Sequence, residues 1–175
     1  MTGQLDELYM RATGEKSVSD IFLHVVTKRA GQIKGEATTA EHADDIVVRT
    51  WSWGVAANTA IGSTQATARR SYRNLVVVKG IDSASTGLLV ALVSNDEVRD
   101  ATLTMRKAGG DALDYFRMGL SNARIVGVDI EVLPSGLPVE RVTIAFTEIE
   151  IQYQRQDGSG LASGGFFFSD QLDLD

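Results

Sequence analysis

The chain of 175 residues has no cysteine. That excludes disulfide staples, thiolate metal sites and a cysteine nucleophile. Histidine is nearly absent: His24 and His42 are too few for a histidine-rich metal centre. Proline occurs only at Pro134 and Pro138. Positive charge is in deficit, with 17 Lys and Arg against 23 Asp and Glu and a formal net charge of −6. This balance argues against electrostatically driven nucleic-acid binding, while leaving room for a local basic patch. No segment is long and apolar enough to cross a membrane. No basic stretch followed by an apolar run marks the N-terminus as a cleaved secretory signal, which points to the cytoplasm without excluding export by another route. A phosphate-binding P-loop, a dinucleotide fingerprint following a strand and Gly-x-Ser-x-Gly are all missing.

What is present reads as one mainly-β domain, long enough to bury a core unaided. The stretch from Asp45 to Gly54 is a strand in which Val47, Arg49, Trp51 and Trp53, two apart, share one side. Trp51 and Trp53 fit the end of a core strand better than a stacking platform for sugars or bases. Before it, residues 1–19 form an added arm whose Leu5, Leu8 and Tyr9 have helical spacing; a short helix and disorder both fit. The domain proper spans 20–169, and 170–175 is an acidic tail expected to hang free.

A first strand covers Ile21 to Thr27, with His24 as a packed or half-exposed strand histidine rather than a ligand. Lys28 to Ala43 is a long polar loop, read as an interaction loop. Glu36, Glu41, His42, Asp44 and Asp45 lie in or beside it, without the spacing or turn glycine of a calcium loop. Val55 to Arg70 reads as a second exposed loop, and Arg69, Arg70 and Arg73 as a solvated basic edge more than an anion site. Leu75 to Lys79 is a buried strand. One helix follows, capped by Asp82, Ser83 or Ser85, with Leu88, Leu89, Leu92 and Val93 as its inward stripe and Asn95 closing it.

Alternation returns from Val98, and Lys107-Ala-Gly109-Gly110 predicts a hairpin turn. Strands continue through Val132, with a turn over Pro134 to Pro138. In Val139 to Arg155 the apolar phase slips, which predicts a bulge or sharp bend near Thr147-Glu148 where the chain turns a corner between sheets. A turn at 156–160 and a short strand Gly165 to Phe168 close the domain. The sum is seven or eight antiparallel strands with one flanking helix, as a small β-barrel or a two-sheet sandwich. The best acid/base candidates are Glu148 and Glu150, two apart on one strand, a pattern a solvated face produces equally well. No catalytic, cofactor or metal residues are assigned.

Several pieces, in order, resemble the haemolysin-coregulated proteins. They are Lys34-Gly35-Glu36, His42, Asp44-Asp45-Ile-Val-Val, Trp51-Ser-Trp53-Gly54, Lys79, Asp82-Ser-Ala-Ser85, ATLTMRKAGG from Ala101 to Gly110 with Tyr115, and the run from Val139 through Gln156-Asp-Gly158. The likeness covers Ile21 to Phe168, with Trp51, Trp53, Arg106, Lys107, Gly109 and Gly110 as its motif residues. It departs at the arm and at Thr86, where proline is common. The resemblance implies a non-enzymatic tube subunit of bacterial type VI secretion, assembling into stacked six-membered rings. Its implied partners are its own copies, a spike protein, a contractile sheath and small effector proteins, with no nucleic acid, membrane insertion or cofactor. It also implies assembly in the bacterial cytoplasm followed by secretion without a cleaved signal. Lys28, Arg29, Lys34, Glu41, His42, Asp44 and Asp45 are the expected contacts to a neighbouring subunit or ring. A phage-type tail-tube protein, a monomeric β-barrel binding a ligand through Trp51 and Trp53, and a hydrolase using Glu148 and Glu150 are the alternatives.

Overall fold

The computed structural model describes residues 19–58, 69–107, 113–156 and 162–172. The arm before Ser19, the turn at Gly109-Gly110, the turn at 157–160 and the last three residues lie outside the described residues. In chain order the elements are β1 (Ser19–Thr27), β2 (Gly31–Gln32), β3 (Ile46–Ser52), β4 (Val55–Asn58), β5 (Arg69–Tyr72) and β6 (Leu75–Lys79). There follow α1 (Ala84–Val93), β7 (Val98–Lys107), β8 (Asp114–Ser121), β9 (Arg124–Val132), β10 (Pro138–Ala145), β11 (Glu148–Gln156) and β12 (Ala162–Gln171). The count exceeds the expected seven or eight because both polar stretches contain short strands. β2 lies within the first, and β4 with β5 make the expected second loop a two-stranded hairpin.

Ten strands form one antiparallel sheet in the order β12-β11-β8-β7-β1-β3-β6-β10-β9, with β2 on β1. Among the described residues no ladder joins β9 to β12, so the sheet is open and not a closed barrel. Ile149 near one end and Val142, Ile144 and Ile125 near the other nevertheless share one apolar cluster. The sheet therefore folds over onto itself as a sandwich around one main core, with a small second cluster of Val78 and Val139.

Two interruptions of alternation shape that core. In β3, Val48 pairs with Lys79 but Thr50 pairs with Val78, so one extra residue enters the ladder. Before this bulge Ile46 and Val48 face inward and Val47 is 48% exposed; after it Trp51 and Trp53 pack against the core. Val47 thus does not share the tryptophans' face, because the bulge at Arg49 resets the phase. The slip expected near Thr147-Glu148 is present as a break at Phe146-Thr147. On its two sides, β10 pairs with β6 and β9, while β11 pairs with β8 and β12.

The N-terminus of α1 is closed by Asp82 accepting from the Ala84 N–H (3.0 Å) and Ser85 Oγ accepting from the Asp82 N–H (3.1 Å). Of the expected stripe Leu88 is buried and Leu92 packs against the core, but the rest of the buried face is Ala84, Ser85 and Ala91. Leu89 and Val93 turn outward, because the small residues Ala84 and Ala91 lie on the face that comes close to the body. Gly87 serves the same approach: a Cβ there would lie 3.0 Å from Ile33 Cγ2. Asn95, at φ 50°, ends the helix as expected. β12 runs on to Gln171 and the Leu172 N–H bonds to Thr147 O (2.7 Å), so residues 170–172 belong to the fold and not to a free tail.

Leu88 is fully buried and Val93 is 82% exposed. Leu88→Ala is expected to lower the unfolding free energy by about 2–5 kcal/mol in urea titration. Val93→Ala should stay within about 0.5 kcal/mol of the parent.

Candidate assembly surfaces and the networks that hold them

The stretch after β1 is held closely to the body. The Ile33 N–H bonds to Val25 O (2.9 Å), and Ile33 and Ala37 are buried. At Gly35 the chain passes so near the Asp45 backbone that a Cβ would lie 2.4 Å from Asp45 O. A short 3-10 turn, Ala40–His42, then drives the His42 ring inward, where it stacks on Phe22 with centroids 4.3 Å apart. Each ring nitrogen of His42 faces a carboxylate: Nδ1 lies 3.0 Å from Asp45 Oδ2, and Nε2 lies 3.1 Å from Asp114. Asp45, itself buried, also reaches His24 Nδ1 at 2.7 Å. Arg106 completes the network, donating from Nε to Asp114 (2.8 Å) and from its guanidinium to Glu41.

The expected contact residues therefore fall into two sets. His42 and Asp45 spend their polar atoms inside the chain, and Arg106 joins them from the motif set. Lys28, Arg29, Lys34, Glu41 and Asp44 are exposed. Lys34 pairs with Asp44 at 2.9 Å, and Lys28 with Glu97 at 3.6 Å. Lys107 is exposed at the end of β7. Trp51 stacks on Phe116 (5.6 Å between centroids) and Trp53 leans on Tyr72 (6.1 Å), so both rings serve the core.

A second network joins residues that the sequence offers only separately, Asp82 and Ser85 as helix caps and Lys79 as a strand end, to Glu140, which it does not single out. Lys79 and Glu140, both fully buried and paired across β6 and β10, meet at 2.5 Å from Nζ to Oε2. Ser85 Oγ donates to the same Glu140 oxygen (2.7 Å), and Asp82 Oδ1 lies 2.7 Å from Lys79 Nζ. The start of α1 is thus tied to two central strands through ions sealed from water.

The third network involves β12. Tyr72 donates its hydroxyl to Asp170, and Arg70 Nη1 lies 2.7 Å from the same carboxylate. The Tyr72 hydrogen bond first, then the Arg70 charge, hold Asp170 below the ordinary carboxylate value of 3.8. Burial, then the bond and charge of Asp170, hold Tyr72 above 10.0.

Two further features lie on the surface. Glu148 and Glu150 line a concave polar face of about 690 Å³ with Asp100, Thr102 and Arg117. Asn122 donates to Glu148 at 3.1 Å there. At the two ends of the sheet, which have no further partner strand among the described residues, β9 exposes Val126, Ile130 and Val132, and β12 exposes Phe166, Phe167 and Phe168.

Breaking the buried ion pair leaves a charge sealed from water with no opposite charge beside it. Lys79→Ala should therefore cost about 3–5 kcal/mol in chemical denaturation, and joint replacement by Lys79→Met and Glu140→Leu should recover most of it. Asp170 makes stability depend on pH. Its depressed value supplies stability that is present above the unfolded carboxylate value of 3.8. That stability is lost only as pH falls through the lower folded value. Thermal melts should show Asp170→Asn below the parent at neutral pH, with the gap closing under strongly acidic conditions.

Comparison with known proteins identifies the architecture. Residues 9–153 match the family model described as the type VI secretion system effector Hcp. The protein hcp1 of Pseudomonas aeruginosa is 30% identical over 152 residues, covering 83% of this chain and 90% of that protein. The crystal structure of Hcp1 from Salmonella typhimurium superposes with a TM-score of 0.69 at 25% identity, over 89% of this chain and 96% of that one. A structure described as a type six secretion system protein reaches a TM-score of 0.78 at 22% identity, over 87% and 95%. With the family model spanning most of the described fold, the chain belongs to the Hcp family of type VI secretion system proteins.

Proposed function

We propose that the chain is the structural subunit of the secretion inner tube, closing into six-membered rings that stack and carry effector proteins out of the cell. The observation that carries this reading is the open sheet with two different apolar edges. Unpaired edge strands are templates for another chain, and natural proteins protect or use them. Here β9 offers aliphatic side chains and β12 three consecutive phenylalanines, both exposed. Two unlike patches on one molecule fit a head-to-tail contact, the kind that generates a closed ring when the rotation closes. The exposed charges Lys28, Arg29, Lys34, Glu41 and Asp44 lie on a braced segment and are suited to a contact between rings. The role is structural rather than enzymatic. Assembly takes place in the bacterial cytoplasm beside spike and sheath, and export needs no cleaved signal.

Native mass spectrometry with negative-stain images is the test. A particle of six 18.9 kDa chains with an open centre is expected, and a monomer at the same concentration overturns the ring. Asp44→Lys, which opposes Lys34, should leave rings intact and shorten or abolish stacks. Asp45→Lys instead strikes the buried histidine network and should lower the yield of folded protein.

A further inference from the structure

We infer that Asp170 is a two-way latch, coupling the β4–β5 hairpin to the edge strand β12 so that the order of each depends on the other. The hairpin's ladder, Val55↔Tyr72 to Asn58↔Arg69, belongs to a sheet separate from the ten-stranded one. A two-stranded ribbon is marginal alone in water and takes its placement from what it rests on. Val55, Ala56, Ala57, Arg70 and Ser71 are exposed, so its apolar support is concentrated at its base, where Tyr72 meets Trp53.

Asp170 adds the polar part of that support. It accepts from Tyr72 and pairs with Arg70, two positions on the same strand of the hairpin. Residues two apart on a strand point the same way, so β5 presents both donors toward one carboxylate. Asp170 pairs in register with the buried Ile149, which turns its side chain to the inner face of the sheet. Its Oδ1 also accepts from the Gln171 N–H at 3.0 Å, fixing the carboxylate to its own backbone. On its other side, among the described residues, β12 has no partner strand. A change of twist or order in β12 therefore moves the acceptor on which β5 depends. By linkage, loss of the donors loosens β12 to the same degree.

The surface affected follows from the proposed ring. If β12 is one of its contacts, a neighbouring copy seated there also sets the hairpin. The latch itself is a property of the single chain, so its test requires no ring.

Hydrogen exchange of the full chain, at a concentration where it is monomeric, reads both directions. Asp170→Asn should speed exchange in 55–58 and 69–72 by about tenfold or more, the usual scale for losing a charge-assisted bond. Exchange in β7 and β10 should hold. Tyr72→Phe combined with Arg70→Gln should speed exchange in 165–171 in the same way, and Asp170→Glu should restore part of the hairpin's protection. Unchanged hairpin protection in Asp170→Asn overturns the inference. So does a uniform loss across all strands, or a hairpin that loosens without any response in β12 to the Tyr72 and Arg70 variants. Native mass of the parent separately decides ring formation, so failure of the ring and failure of the latch give different results.

Discussion

A fully buried lysine and glutamate meeting across β6 and β10 set the terms for the rest of the structure. Two ions removed from water cost several kcal/mol each, and only close geometry with further hydrogen bonds repays that cost. Ser85 in the first turn of α1 and Asp82 just before it supply those bonds, so the helix cannot leave the sheet without stranding charge. Such a pair contributes little net stability. It discriminates instead against registers in which Lys79 and Glu140 miss each other. A one-residue slip between β6 and β10 would turn the two side chains to opposite faces of the sheet and part the pair. With that register set, the bulge in β3 follows, because Val48 must answer Lys79 while both tryptophans reach the core.

The polar segment after β1 obeys the same logic at a half-buried site. It holds few apolar side chains, chiefly Ile33 and Ala37, yet His42, Asp45, Asp114 and Arg106 pin it to β1, β7 and β8. Charges left over from this network stand outward on a rigid base. Groups already ordered lose less entropy when a partner arrives, which suits a surface used for assembly.

Much of this was legible from residues alone. Alternation gave the strands, the phase slip located the corner at Phe146-Thr147, and Asn95 marked the helix end. The tryptophan pair was rightly placed in the core, but the bulge at Arg49 was invisible because it is imposed by the partner strand β6. The helix face is legible only in half for a related reason: Leu88 and Leu92 pack as their spacing predicts, while small residues replace Leu89 and Val93 on the contact face, where Gly87 lets Ile33 come close. The networks were the least legible. Lys79 with Glu140 and Tyr72 with Asp170 join residues far apart in the chain, and no local spacing encodes which distant strands become neighbours. Acidic and basic residues near Lys34 and Asp44 were recognisable as a set, but not the division between those turned inward and those left outside.

The order of strands in the sheet also governs how the molecule is made. β1 lies between β3 and β7, and β6 waits for β10, so the strands that emerge early in synthesis have central partners that emerge late. Contacts between distant parts of a chain delay folding, since loop closure must precede any reward. A nascent chain of this topology carries unpaired apolar strands until much of it has left the ribosome, and in that interval it is exposed to aggregation. The same pairing that makes the finished sheet continuous thus makes the half-synthesised protein a natural client for chaperones.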